Sequence, residues 1–333
     1  MFVVGNKQSY LGMEIEVTKQ GTILVMSFFV KKLLEGMEVK QFESPGTKDT
    51  FVVDECSKKL AENERKDFHS RTAKLLYLAK RARPDILTVA IFLCTRVQGA
   101  TVEDQRKLMR VLGYLSGTQE ATLILRATRK PVVTAYVDAA YAIHNDSKSH
   151  SGVIIYVGQT LAYVSSRKQK CMSKSPTEAE FIALTDNVGL VELFKEFVEF
   201  LMMQNIETPI VYEDCNAVVS LITLGGGVTR TKHLRARMHL GKEMVDEKRL
   251  KVVYKKGAEM LADGFSKPYD PVKHKPFAIE LMGTQKSVNG WALEDMKKSD
   301  EGDRKKRKEM KKGVRSCPIL EKGLKEKKQQ KAS

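Results

Sequence analysis

Four acidic residues stand where a fold could bring them together for metal-dependent chemistry: Asp138, Glu180, Asp214 and Asp263. Asp138 and Asp214 each end an apolar run typical of a strand, while Glu180 lies early in a long helical pattern. Asp263 lies in a helical turn soon after the last strand-like run. Carboxylates held close together repel each other unless a cation lies between them. Oxygen ligands favour Mg²⁺ or Mn²⁺ over zinc, and paired divalent ions commonly serve phosphodiester cleavage.

The segment that contains these acids has the pattern of a mixed α/β domain. Ser175 is a good N-cap residue, Pro176 suits the first helical position, and Glu178 completes a capping box. From there an apolar stripe with helical spacing continues to Leu201, which predicts one long helix. The predicted strands lie in the stretches "VVTAYVDAAY", "SGVIIYVGQTLAYVSS", "TPIVYED" and "LKVVYKK". Three strands, a helix, and then alternating strands and helices predict a mixed five-stranded sheet flanked by helices.

Changes of composition along the chain predict five regions. They are a mostly helical segment with an N-terminal hairpin (1–125), a linker (126–130), the α/β domain (131–270), a C-terminal extension (271–295) and a Lys-rich tail (296–333). The tail is of low complexity with few large apolar residues. Such a segment buries too little surface to offset its chain entropy, so we expect it to be disordered.

The charge and the cysteines narrow the class of protein. The net charge of the 333 residues is +16, of which the tail contributes +9, and this suggests a polyanionic partner. The five cysteines form no C-x-x-C pair, which predicts no structural zinc and no disulfide framework. We expect an intracellular protein, cytoplasmic or nuclear, with no membrane partner. No apolar stretch reaches bilayer length, and the N-terminal residues do not have the pattern of a signal peptide.

Residues 131–270 resemble the ribonuclease H domain of the Pol polyproteins of copia-type LTR retrotransposons. The matching stretches are "YVDAAYA", "KSHSGVIIYVG", "VSSRKQKCMSKSPTEAEFIAL", "VYEDCNAVV", "RTKHLRARMHLGKEMV" and "LKVVYKKGAEMLADGFSKP". The resemblance implies a ribonuclease H-like fold and an endonuclease that cleaves the RNA strand of RNA–DNA hybrids. It also implies two Mg²⁺ ions, or Mn²⁺, held by the four acids. Asp138 would bridge both ions, with Glu180 and Asp214 on one ion and Asp263 on the other.

The N-terminal segment resembles the end of the reverse transcriptase region of the same polyproteins. The stretches "YLGMEI", "KLLYLAKRARPDI" and "RVLGYLSGT" carry this resemblance. The paired aspartates of the polymerase palm precede "YLGMEI" in that family and are not in this chain. We therefore expect no DNA polymerase activity. The resemblance also implies association with other segments of a Pol polyprotein.

Several alternatives stay open at the level of sequence. Glu178 competes with Glu180 as the helical metal ligand, and the capping role of Glu178 favours Glu180. A basic segment could contact nucleic acid or could be a solvated face; its candidate residues are Arg230, Lys232, His233, Arg235 and Arg237. The alternative function is a catalytically inactive retroelement remnant that binds nucleic acid. A basic protein without a metal site would make the four acids a coincidence.

Overall fold

The computed structural model describes residues 6–19, 21–126, 128, 131–225 and 232–283. The strands among them form two sheets. Only the backbone is described for Lys232 and His233. The described residues belong to one compact unit, Met1–Thr284. The predicted disorder of 296–333 lies outside them, and the division at 126–130 stays a prediction. Among the described helices, none is both long and apolar enough to cross a bilayer.

The N-terminal part combines a small antiparallel sheet with four helices. Its elements are β1 (Lys7–Tyr10), β2 (Met13–Thr18), β3 (Gly21–Val25), α1 (Ser27–Leu34), α2 (Glu62–Arg81), a 3-10 turn (Pro84–Ile86), α3 (Leu87–Arg96), α4 (Val102–Gly117) and β4 (Leu123–Leu125). The sheet order is β1-β2-β3-β4, so β4 closes the sheet from the far end of this segment. Most of its residues in regular structure are helical, as the sequence predicts.

The second part contains the predicted mixed sheet. Its elements are β5 (Val133–Ala140), β6 (His150–Val157), β7 (Thr160–Lys168), α5 (Pro176–Thr185), α6 (Val188–Met202), β8 (Ile210–Glu213), α7 (Asn216–Leu224), α8 (Lys232–Asp246), β9 (Lys251–Tyr254), a 3-10 turn (Gly257–Glu259), α9 (Asp263–Ser266) and α10 (Pro271–Met282). The strand order is β7-β6-β5-β8-β9. β5, β6 and β7 pair antiparallel, whereas β8 and β9 run parallel to β5. The prediction of a five-stranded mixed sheet flanked by helices is confirmed.

The prediction of a single long helix after Ser175 is wrong, because the helix is interrupted between α5 and α6. The Thr185 hydroxyl donates a hydrogen bond to the carbonyl oxygen of Phe181 at 2.8 Å. The Asn187 amide group donates one to the carbonyl of Ala183 at 2.6 Å. Side chains of these types compete with the helix for its backbone groups, so a continuous apolar stripe does not ensure a continuous helix. The break separates the helix that carries Glu180 from the helix behind it.

The two faces of the five-stranded sheet pack against different parts of the chain. Val137, Val153 and Val211 face a core that includes residues of α5 to α8. On the other face, Ile154 and Phe265 join the core formed by the N-terminal helices. Alternate residues of a strand point to opposite faces, so the neighbours Val153 and Ile154 enter different cores. The N-terminal helices therefore support the sheet from the side opposite α5.

The α9 segment lies against the backbone of β6 at Gly152, which pairs with Asp138 of β5. A Cβ atom at Gly152 would lie 2.5 Å from the carbonyl oxygen of Ala262 and 2.5 Å from the amide nitrogen of Ser266. Only a residue without a side chain permits this approach. From the N-terminal side, the Thr88 hydroxyl donates a 2.7 Å hydrogen bond to the carbonyl of Gly264. Two parts of the fold thus fix the position of α9.

We expect Gly152→Ala to push α9 away from the sheet and to lower the free energy of unfolding by about 1–3 kcal/mol, the usual cost of overpacking. Urea denaturation measures this change. Gly189→Ala is the matched control, because a Cβ atom at Gly189, inside α6, has nothing within 4 Å. Alanine is the better helix former, so the control should be neutral or stabilising. Equal stability losses in both variants would contradict the argument.

Candidate metal centre

Three of the four predicted acids meet at one edge of the five-stranded sheet. Asp138 belongs to β5, Asp214 directly follows β8, and Glu180 lies on α5. One carboxylate oxygen from each lies within 4.8 Å of the other two. The strands bring two of these acids together because β5 and β8 are parallel neighbours. Asp138 is 3% exposed and Glu180 is 9% exposed, whereas Asp214 is only partly buried, so the cluster opens to water on the Asp214 side.

Asp263, the fourth predicted acid, lies beside this cluster but does not belong to the group of three. It begins α9, and its carboxylate forms an ion pair with the ammonium of Lys267. Its second oxygen accepts a 2.7 Å hydrogen bond from the hydroxyl of Tyr269. Its charge still reaches the cluster, since it raises the pKa values of both Asp138 and Asp214. The segment after β9 therefore supplies the acid together with the donors that hold it.

Burial and mutual repulsion make Asp138 a weak acid. Burial, followed by the charge of Asp263, raises the pKa of Asp138 to about 7. The Ser266 hydroxyl donates a hydrogen bond to Asp138 and partly opposes this shift. The pKa of Asp214 is raised by the same two causes, burial first. Without a cation, these charges therefore destabilise the folded protein, unless the acids stay protonated.

Glu213 is a fifth acid at this edge, and the sequence did not predict it. It is the last residue of β8, is fully buried, and lies one position before Asp214. Burial is the main cause that raises the pKa values of both Glu180 and Glu213, and nearby acids raise them further. Glu213 shares a strand face with the buried Val211, and this alternation could have identified it. Its Oε1 accepts a 3.1 Å hydrogen bond from the Cys215 amide.

The donor set fits a hard divalent cation. All three clustered ligands are carboxylates, which are the ligands that Mg²⁺ and Mn²⁺ prefer. Among the described residues, the buried Oε2 of Glu180 has no hydrogen-bond partner. An uncompensated buried carboxylate oxygen is costly, and a bound cation would remove that cost. The residues present thus match the metal ion that the sequence predicts.

Glu178, the competing helical acid, has a structural role at the start of α5. Its backbone N–H donates a 3.2 Å hydrogen bond to the hydroxyl of the N-cap residue Ser175. Its carboxylate accepts a 3.0 Å hydrogen bond from the backbone N–H of Lys174, one residue earlier than a capping box requires. Glu178 therefore stabilises the helix terminus, and Glu180 is the acid that α5 places in the cluster.

The predicted basic contact residues are only partly described. Arg230 and the side chains of Lys232 and His233 lie outside the described residues. Arg235 is exposed on α8, whereas Arg237 forms an ion pair with Asp186. Arg237 also lines a polar cavity of about 230 Å³ beside β7. Three further basic residues line that cavity, and none of them is among the contact residues predicted from the sequence: Arg167, Lys168 and Lys170.

No protein-family model matches this chain. The chain is 28% identical over 276 residues to the retrovirus-related Pol polyprotein from transposon TNT 1-94 of Nicotiana tabacum, a match that covers 79% of this chain and 20% of the relative. It is 26% identical to the retrovirus-related Pol polyprotein from transposon RE2 of Arabidopsis thaliana, over 82% of this chain and 19% of the relative. The predicted resemblance to retrotransposon Pol polyproteins is confirmed. The chain spans about a fifth of the length of these relatives.

A search of solved structures finds ribonuclease H proteins. The ribonuclease H1 of the halophilic archaeon Halobacterium salinarum is 16% identical, with a TM-score of 0.30, and the match covers 40% of this chain and 93% of that chain.

Without metal, we expect the parent protein to lose stability relative to Asp138→Asn as the pH rises. The folded state holds a proton on Asp138 up to about pH 7, whereas the unfolded state releases it near pH 4, so folding becomes less favourable between these values. Asparagine carries no charge at any pH. The stability difference should shift by about 2–3 kcal/mol between pH 5 and pH 8. Urea denaturation in EDTA measures this shift, and Mg²⁺ should reduce it. Parallel pH curves for the two proteins would refute the assignment.

Proposed function

We propose that this chain is a metal-dependent endonuclease, a ribonuclease H, that cleaves the RNA strand of RNA–DNA hybrids. One observation carries the proposal: Asp138, Glu180 and Asp214 bring carboxylate oxygens within 4.8 Å at the edge of a mixed five-stranded sheet. The resemblance of residues 131–270 to the ribonuclease H domain of retrotransposon Pol polyproteins gives the proposal its substrate class.

The acids of this chain would hold Mg²⁺, with Mn²⁺ as the alternative. When bound, divalent ions stabilise the charge that develops on a phosphate during hydrolysis and lower the pKa of a bound water. Asp138 lies centrally, because it meets Glu180 and Asp214 in the cluster and also interacts with Asp263 through its charge. The Ser266 hydroxyl keeps Asp138 oriented. The roles of the four acids rest on this arrangement.

Binding of the hybrid would depend mainly on contacts to phosphates. Arg167, Lys168 and Lys170 line a cavity beside β7, together with Arg237 of α8. Such contacts carry no sequence information and weaken as the salt concentration rises. Preference for RNA would come from contacts to 2′-hydroxyl groups across the minor groove.

Two glutamates on one turn of α5 provide a sharp test. Glu180→Gln should reduce cleavage of the RNA strand in a labelled RNA–DNA hybrid by about a hundredfold or more, because it removes a charged ligand from the metal cluster. Glu178→Gln should cleave at close to the parent rate. The assay compares both variants with the parent and with Asp138→Asn in Mg²⁺, and EDTA should abolish cleavage.

The same assay separates this proposal from the alternative of an inactive, nucleic-acid-binding remnant. A parent protein that retards the hybrid in a gel without cleaving it would favour the binding module. Cleavage that survives both Asp138→Asn and Glu180→Gln would place the reaction elsewhere or in a contaminating nuclease. Equal losses in the two glutamate variants would contradict the assignment of Glu180.

A further inference from the structure

Lys267 places a positive charge of the chain itself beside the carboxylate cluster. Its ammonium pairs with one oxygen of Asp263, four residues earlier, and the Tyr269 hydroxyl donates to the other oxygen at 2.7 Å. Both oxygens of Asp263 therefore have protein donors. The Oε2 of Glu180 has no such donor among the described residues. The carboxylate of Asp263 is thus compensated by the protein itself, whereas that of Glu180 is not.

The charge of Lys267 acts on the cluster as well as on Asp263. It lowers the pKa values of Asp138 and Asp214, opposing the effects of burial. The side chain of Lys267 is 43% exposed, whereas that of Asp263 is 17% exposed. A long, partly exposed lysine can swing into solvent at modest cost. The ion pair therefore neutralises Asp263 while Lys267 stays free to leave it.

We propose that Lys267 competes with a divalent ion for Asp263 and so sets the order in which ions bind. This inference rests on the proposed function. The first ion binds at Asp138, Glu180 and Asp214, none of which forms an ion pair with a lysine in the described part of the chain. A second ion reaches Asp263 only by displacing Lys267. Lys267 is thus a positioning residue that keeps Asp263 compensated until the second ion arrives.

The opposite role predicts the opposite result. If Lys267 only stabilised the α9 segment, its loss would leave Asp263 less well positioned and would lower the affinity for the second ion. If Lys267 competes for Asp263, its loss raises the affinity for the second ion. The direction of the change in affinity therefore distinguishes the two roles.

Isothermal titration calorimetry of the full chain with Mn²⁺ provides the test, with Mg²⁺ as a second probe. Lys267→Gln should bind the second ion roughly two- to fivefold more tightly than the parent, as expected when one partly screened ion pair is removed. The first ion should change less. Lys195→Gln is the matched control, because Lys195 forms a 3.2 Å ion pair with Glu199 at the same spacing on α6. Unchanged or weaker binding of the second ion in Lys267→Gln would overturn the inference.

Two further variants cover the case in which Lys267→Gln does not fold, as judged by thermal unfolding without metal. Lys267→Arg keeps the positive charge and should bind the second ion as weakly as the parent does. Asp263→Asn should no longer bind the second ion but should still bind the first. Tight binding of a second ion by either variant would also overturn the inference. A chain that binds two ions in this order without cleaving the hybrid would refute only the proposed function.

Discussion

The contact between the α9 segment and the backbone of β6 is the constraint on which the candidate site depends. Gly152 has no side chain, so the backbone around Ala262 and Ser266 comes within reach of the strand that pairs with β5. That approach lets the Ser266 hydroxyl meet Asp138 and brings Asp263 to the edge of the sheet. The site is therefore built by close backbone packing as much as by the acids themselves.

Placing several acids in a buried position costs stability in the absence of metal. Asp138, Glu180 and Glu213 are all buried, and burial raises the pKa of each of them. The fold meets part of this cost with its own donors, among them Ser266 for Asp138 and Lys267 for Asp263. Bound cations would neutralise the remaining charge, so a divalent ion that binds the folded chain would also stabilise it against unfolding.

The sequence predicted the parts of the site that follow from local pattern. Asp138 and Asp214 stand out in the sequence because each ends an apolar run, and strands of that kind align in a sheet. Glu180 followed from its position on the helix, with Glu178 explained by helix capping. Their proximity is what the structure adds.

The features that the sequence did not predict depend on contacts between distant residues or on side-chain competition. The break at Thr185–Asn187 arises from side-chain hydrogen bonds that apolar periodicity does not reveal. The burial of Glu213 depends on which face of β8 is covered. The engagement of Asp263 by Lys267 and Tyr269 requires the geometry of the turn after β9.

The hydrogen bond from Thr88 to Gly264 joins residues 176 positions apart, and that from Ser266 to Asp138 spans 128 positions. Contacts this distant in sequence form late when a chain folds, because the entropy of closing long loops must be overcome first. The helices and hairpins can therefore form before Asp263 is carried to the other acids. Consequently, electrostatic repulsion within the cluster should raise the free energy of the chain only in states close to the native one.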